Sequence, residues 1–511
     1  MVRHFYDGPV NPHRTRPSMA LSLVVVMLAG CSSSGTTAGT STDSNTNSTP
    51  TTVDTSPFGW KEFGASGRVE TGHLQVPIDY SNPSKGTFDL YVARHLAVPE
   101  KRIGSLLVNP GGPGFGGSDY AIYADSVYGK ELLDRFDIVG WDPRGTGLSE
   151  PAIDCIDDYD RYFTGLDITP DTDADRTKIV DLSKEFADLC VKKNKDIIDH
   201  IGTNESARDI DSIRAALGEA KISYFGFSYG SELGAVWATL FPNTVRAAAL
   251  DGAADPTANA LDLALQQSAG FEQALNTFLA RCSSTATCAF HHNGDAEGAF
   301  DALMTRLDAT PIPTVDGRPD LTRGMALNAV AQAMYSDSIW PDLEKALADA
   351  DRGDGAAMLQ LMDDYFQRRK DGTWDNGLEA FQVISCADSP ERPTVAEEDA
   401  SAAQFQKVAP RFSPGDVGSY FCTFFPPTTD PVVPVTGKGA GPILVMGTTG
   451  DPATPLEGTR RMASTLENGR LVVVKAEGHT GYLPDSCSGD VIDAYLVDPV
   501  KNVPADGYTC N

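Results

Sequence analysis

Residues 221–241 read KISYFGFSYGSELGAVWATLF. The run Ile222–Phe225 is apolar and aromatic-rich, which predicts a buried strand. Glycines break it at Gly226-Phe227-Ser228-Tyr229-Gly230. Leu233, Val236 and Trp237 then fall at helical spacing. Strand, sharp turn and helix with G-x-S-x-G at the turn form a nucleophile elbow. The serine is held in a strained conformation at the end of a sheet, and its hydroxyl is exposed. Flanking glycines are required because strand and helix approach too closely for side chains there. The Tyr229 N–H points to where a carbonyl oxygen would gain charge. A glycine-punctuated loop with an incidental serine is the alternative. The strand before and the helix after favour Ser228 as nucleophile.

Working outward, Ser105–Val108 is a short apolar strand that runs into Asn109-Pro110-Gly111-Gly112-Pro113-Gly114. A glycine-rich loop after a core strand can cradle phosphate, but neither G-K-[ST] nor a fitting G-x-G-x-x-G register is present. Beside an elbow, the loop reads as the second half of an oxyanion hole, with backbone donors at Gly111 and Gly112. The strand from Phe136 ends in Trp141-Asp142-Pro143-Arg144-Gly145, where Asp142 and Arg144 read as a structural ion pair bracing the loop.

A serine hydroxyl attacks poorly without a base, and the base works best when a carboxylate fixes its tautomer. His73 and His95 lie in early strands, His200 in a polar helical stretch, and His291 and His292 in a helix-rich region. Only His479 sits in a glycine-flanked loop directly after a core strand (Leu471–Lys475). Asp451 stands likewise after the strand Pro442–Gly447. The order Ser228, Asp451, His479 is that of the α/β-hydrolase arrangement. Strand–helix alternation from residue 105 onward predicts an α/β fold with a mostly parallel, doubly wound sheet. Residues 257–425 lose the glycine-rich strand–turn units and become helical, which predicts a cap inserted between core parts 57–256 and 426–511, with its trailing stretch Phe381–Asp388 open to assignment to the core instead.

The chain has 511 residues, 41% hydrophobic, with a formal charge of −29. That field, unrelieved by any basic stripe, excludes nucleic acid as a partner. Residues 19–30 (MALSLVVVMLAG) follow Arg14 and Arg16 and are too short to span a bilayer. The ending Leu28-Ala29-Gly30-Cys31 resembles a lipobox, which predicts cleavage after residue 30 and lipid on Cys31. The expected protein is exported and anchored to the outer face of a bacterial cytoplasmic membrane, with the Ser/Thr-rich residues 31–56 as a flexible tether. Of nine cysteines, eight then remain, an even number that predicts disulfides. Connectivity does not follow from spacing. Sequence neighbours suggest Cys155–Cys190, Cys282–Cys288, Cys386–Cys422 and Cys487–Cys510. The C-x5-C before His291-His292 reads as a pinned loop rather than a metal site, and no cofactor is expected.

N-P-G-G-P-G at 109–114, W-D-P-R-G-T-G-L-S at 141–149, G-F-S-Y-G-S at 226–231, G-D-P-A-T-P at 450–455 and G-H-T-G at 478–481 together resemble the prolyl/tripeptidyl aminopeptidase family of serine peptidases. The likeness extends to the actinobacterial tripeptidyl aminopeptidases and the lipid-anchored envelope proteases of mycobacteria, and runs from about residue 58 to 511. It implies an α/β-hydrolase core under a helical cap, peptide substrates engaged by a free N-terminus, Ser228, Asp451 and His479 as triad, and Tyr229 with Gly111-Gly112 as oxyanion donors. Prolyl iminopeptidases usually carry histidine where Asn109 stands, so the pattern departs from strict proline specificity. A free N-terminus requires a carboxylate for its ammonium, for which Glu232, Asp388 and Glu391 are the candidates. A carboxylesterase on the same scaffold shares the triad and is the first alternative. A solute-binding lipoprotein is the second, although it has no need of an elbow with ordered Asp and His.

Overall fold

The computed structural model describes residues 56–511 apart from 171, 414–419 and 421. The expected signal peptide, Cys31 and nearly all of the tether lie outside the described residues. Among the described residues no helix is long and apolar enough to cross a membrane.

Ten strands form one sheet: β1 (Lys61–Glu62), β2 (Val69–Pro77), β3 (Thr87–His95), β4 (Gly104–Asn109), β5 (Phe136–Trp141), β6 (Ile222–Phe227), β7 (Val245–Asp251), β8 (Ile443–Gly450), β9 (Gly469–Glu477) and β10 (Tyr508–Cys510). Their order is β1-β2-β3-β5-β4-β6-β7-β8-β9-β10. The β1–β2, β2–β3 and β3–β5 pairs are antiparallel, and every pair from β5 to β10 is parallel. Composition explains the division. β2 alternates buried and accessible residues over much of its length, as a half-solvated antiparallel strand does. β4, β5 and β6 are buried at every position, as parallel strands between two helix layers must be.

Helices Asp173–Lys193 and Thr203–Ala216 pack on the sheet through Phe186, Ile210 and Ile213, alongside Trp237 of the helix Tyr229–Leu240. Five helices between Ala260 and Tyr365 bury a separate apolar core that runs from Phe271 to Met362 and also takes in Ala453. The helix Gly377–Asp388 instead places Ala380, Val383 and Ile384 in the sheet core. The range 257–425 therefore divides between two packing groups.

Four disulfides join Cys155–Cys190, Cys282–Cys288, Cys386–Cys422 and Cys487–Cys510, the pairs sequence proximity suggests. The loop after β5 corrects the expected ion pair. Arg144 is wholly buried but pairs with Asp209 (Nη2–Oδ1 2.6 Å, Nε–Oδ2 2.8 Å), not Asp142. Asp142 accepts backbone N–H groups from Ser118 (3.0 Å) and Leu148 (2.9 Å). A carboxylate satisfied by two amides needs no guanidinium.

Candidate active site

Ser228 follows β6 with φ 54° and ψ −128°, a conformation side-chain-bearing residues rarely adopt. The flanking glycines are explained by contact. A Cβ on Gly226 would lie 2.1 Å from the Gly230 carbonyl oxygen, and one on Gly230 would lie 2.6 Å from that of Asn109. The Ser228 N–H donates to the Asp251 carbonyl at 2.8 Å, tying the elbow to the end of the neighbouring strand β7.

Asp451 and His479 come together across the ends of β8 and β9. His479 Nδ1 lies 2.9 and 3.0 Å from the two carboxylate oxygens of Asp451. Asp451 also accepts the Ala453 N–H (3.0 Å), the Thr454 N–H (2.8 Å), the Thr454 hydroxyl (3.1 Å) and the Thr480 N–H (3.3 Å). Both partners are almost wholly shielded from solvent. Burial pulls the imidazole pKa down, but the Asp451 charge and hydrogen bond outweigh it, so the net shift is upward.

His479 Nε2 is buried and has no hydrogen-bond partner among the described residues. The imidazole nonetheless borders the elbow's neighbour: a Cβ on Gly252, next to the Asp251 that holds Ser228, would lie 3.0 Å from His479 Cε1. The helical region reaches this loop as well. The Tyr335 carbonyl accepts the His479 N–H at 2.9 Å, and its ring meets the imidazole edge-on at 5.4 Å.

The two glycine donors separate. The Gly111 N–H is spent on Asn109 Oδ1 at 2.9 Å. Gly111 packs so closely on the elbow that a Cβ there would lie 2.8 Å from Ser228 Cβ. The N–H groups of Gly112 and Tyr229 have no acceptor among the described residues, so they form the available donor pair.

The three acidic candidates separate too. Asp388 accepts the Thr203 N–H (2.7 Å) and hydroxyl (2.6 Å), and Thr203 in turn bonds the Tyr229 hydroxyl. It braces the start of the helix Thr203–Ala216. Glu391 accepts the Ala260 N–H at 3.1 Å, at the start of the helix Ala260–Ser284. Glu232 accepts no hydrogen bond among the described residues, one helical turn beyond Ser228. Burial and the nearby Asp388 charge push its carboxyl up to about 7.

Asp251 was not among the residues expected at this site. It ends β7 as Asp451 follows β8, so the positional signal was present. Its carboxylate is fully buried and accepts the N–H groups of Gly481 (2.8 and 2.9 Å) and Tyr482 (2.8 Å). Elsewhere, Asp79, His200 and Glu205 bring ligand-type atoms within 4.8 Å of one another. Lys85 Nζ already lies 3.0 Å from Asp79 and 3.1 Å from His200 Nε2, supplying a cation there.

Comparison with known proteins agrees with this geometry. Residues 104–293 match the family model described as alpha/beta hydrolase fold, and residues 414–510 match that of TAP-like protein. The chain is 35% identical over 463 residues to the serine protease Hip1 of Mycobacterium tuberculosis, covering 86% of each chain. It is 33% identical over 439 residues to carboxylesterase B of the same organism, covering 83% of each. It is 28% identical over 445 residues to the tripeptidyl aminopeptidase of Streptomyces coelicolor, covering 84% of this chain and 81% of that one. Elbow, parallel sheet and relatives converge: the chain is a serine hydrolase belonging to the prolyl/tripeptidyl aminopeptidase family of α/β-hydrolase peptidases.

Proposed function

We propose that the protein is an exported, lipid-anchored serine peptidase that cleaves near the free N-terminus of peptides, with Ser228, His479 and Asp451 as its catalytic unit. The observation that carries the catalytic part of this reading is the buried Asp451–His479 bond, whose imidazole borders Gly252, next to the Asp251 that holds the strained Ser228 elbow. Ser228 Oγ attacks the scissile carbonyl carbon while His479 Nε2 takes its proton, and Asp451 holds the Nδ1–H and stabilises the imidazolium. The oxyanion accepts from the Tyr229 and Gly112 N–H groups. Collapse breaks the C–N bond, and His479 returns the proton to the leaving amine. Water then cleaves the acyl-enzyme by the same route in reverse. An unpartnered Nε2 suits this role, because catalytic hydrogen bonds often tighten only around substrate.

Glu232 is the carboxylate left for the substrate ammonium, which would supply the counter-charge it lacks. The relative named carboxylesterase B favours ester hydrolysis as the second reading. The discriminating assay compares tripeptide amides with free and blocked N-termini against short acyl esters. Fastest turnover of the free-amine peptides is expected. Turnover of esters alone would replace the peptidase reading with the esterase one.

A further inference from the structure

Asp251 touches both halves of the machinery. Its carbonyl oxygen accepts the Ser228 N–H at 2.8 Å, and its two carboxylate oxygens hold the N–H groups of Gly481 and Tyr482 at 2.8–2.9 Å. Those two amides lie two and three residues beyond His479. A single buried residue thus spans the elbow and the histidine loop, which is also held by Asp451 on Thr480 N–H and Nδ1, by the Tyr335 carbonyl, by the Thr454 hydroxyl 3.2 Å from Nδ1, and by the Thr448 hydroxyl and Gly450 carbonyl on Gly478. We propose that Asp251 is a positioning residue that locks the Ser228 elbow and the His479 loop into one register and places a second carboxylate in the electrostatic field of the imidazole.

The inference rests on the catalytic reading of Ser228 and His479 given above. A scaffold needing only two acceptors for two amides could use a neutral side chain, since burying a charge is costly. A carboxylate adds an interaction that strengthens when the histidine becomes a cation, which is when a serine hydrolase gains from it. Among the described residues, Asp451 is the charged group that acts on both members of the pair. Asp451 and Asp251 both raise the proton affinity of His479, while Tyr335, on the helical side, stacks its ring edge-on against the imidazole. Burial first, and then the charge of Asp451, push the Asp251 carboxyl up to about 7, against the two amides and His479, which pull it down. Its ionisation therefore changes in the range where the histidine works.

Asp251→Asn keeps the shape and one acceptor oxygen but removes the charge. Its kcat/KM at pH 8 should fall roughly tenfold through loosened geometry. The acid limb of its pH profile should move down on the order of half a pH unit, because loss of an anion lowers the proton affinity of His479. A variant within threefold of the parent, with an unmoved limb, would overturn the proposal. A limb that stays put despite lost activity would reduce Asp251 to a structural brace, which also overturns it.

If the variant fails to fold, the unsubstituted protein decides. In a 13C-histidine NMR titration, assigned with His479→Ala, the His479 Cε1 resonance should show two inflections, the second from Asp251. A single-site curve contradicts the proposal. Fluorophosphonate labelling of the unsubstituted protein separates the two failures. Absence of label on Ser228 removes the catalytic reading, whereas labelling together with a single-site curve removes only the role of Asp251.

Discussion

Asp451→Asn isolates the tautomer-fixing role of the carboxylate. Asp451 Oδ1 accepts the Ala453 and Thr454 N–H groups at 3.0 and 2.8 Å, and neither backbone donor can turn away. An asparagine must leave its carbonyl oxygen there. Its amide nitrogen then takes the place of Oδ2, facing the Thr454 hydroxyl, the Thr480 N–H and His479 Nδ1. An amide N–H directed at Nδ1 makes that nitrogen an acceptor and moves the ring proton to Nε2, the atom that must be free to receive the serine proton. The side-chain volume hardly changes, so the fold should persist while the base is lost. Tautomer reversal in a Ser-His-Asp unit costs about 10⁴ in kcat, equivalent to about 5.4 kcal/mol at 1.36 kcal/mol per decade. Steady-state hydrolysis of a free-N-terminal tripeptide anilide reads it directly, with circular dichroism as the folding control. A folded variant within tenfold of the parent would show that Asp451 does not orient His479.

The raised proton affinity of His479 sets a pH expectation: the base works only when neutral, so the acid limb of kcat/KM should have its midpoint above the ordinary histidine value of 6.5, and a midpoint well below contradicts it. Glu232→Gln should raise KM for free-N-terminal peptides roughly tenfold while leaving N-blocked peptides and esters unchanged; equal effects on both substrate classes would remove Glu232 from amine recognition. Arg144→Met strands the buried Asp209 carboxylate, which should cost about 3–5 kcal/mol. For a cooperative unit of this size that lowers Tm by roughly 3–5 °C in calorimetry, and an unchanged Tm would show that the pair is energetically neutral.

The sheet was legible because each core strand is an apolar run bounded by glycine, proline or aspartate, and the positions of Asp451 and His479 at strand ends were legible because each follows such a run. Less could be read where the answer depends on a partner distant in sequence. Arg144 lies beside Asp142 in the chain but pairs with Asp209, 65 residues away. Gly111 and Gly112 look equivalent as letters, and only the side chain of Asn109 distinguishes the spent N–H from the available one. The same holds for the acids. Asp388 and Glu391 are taken up by the starts of two helices whose ends no local pattern brings near them. The strand β10 has three residues and is held by Cys487–Cys510 and parallel pairing to β9, too little for periodicity to show. Helix Val395–Val408 lies in the stretch read as helical, but its capping box, Thr394 with Glu397, is not followed by an apolar stripe that would mark its bounds, and Ser401 is its one buried side chain among the described residues.

The central claim, that Ser228 is a nucleophile activated by His479, is tested most directly by mapping the covalent adduct of a fluorophosphonate by mass spectrometry. A single modified peptide should carry the label on Ser228, and the label should disappear in both Ser228→Ala and His479→Ala. Label on a different residue, or undiminished labelling without His479, would contradict that claim.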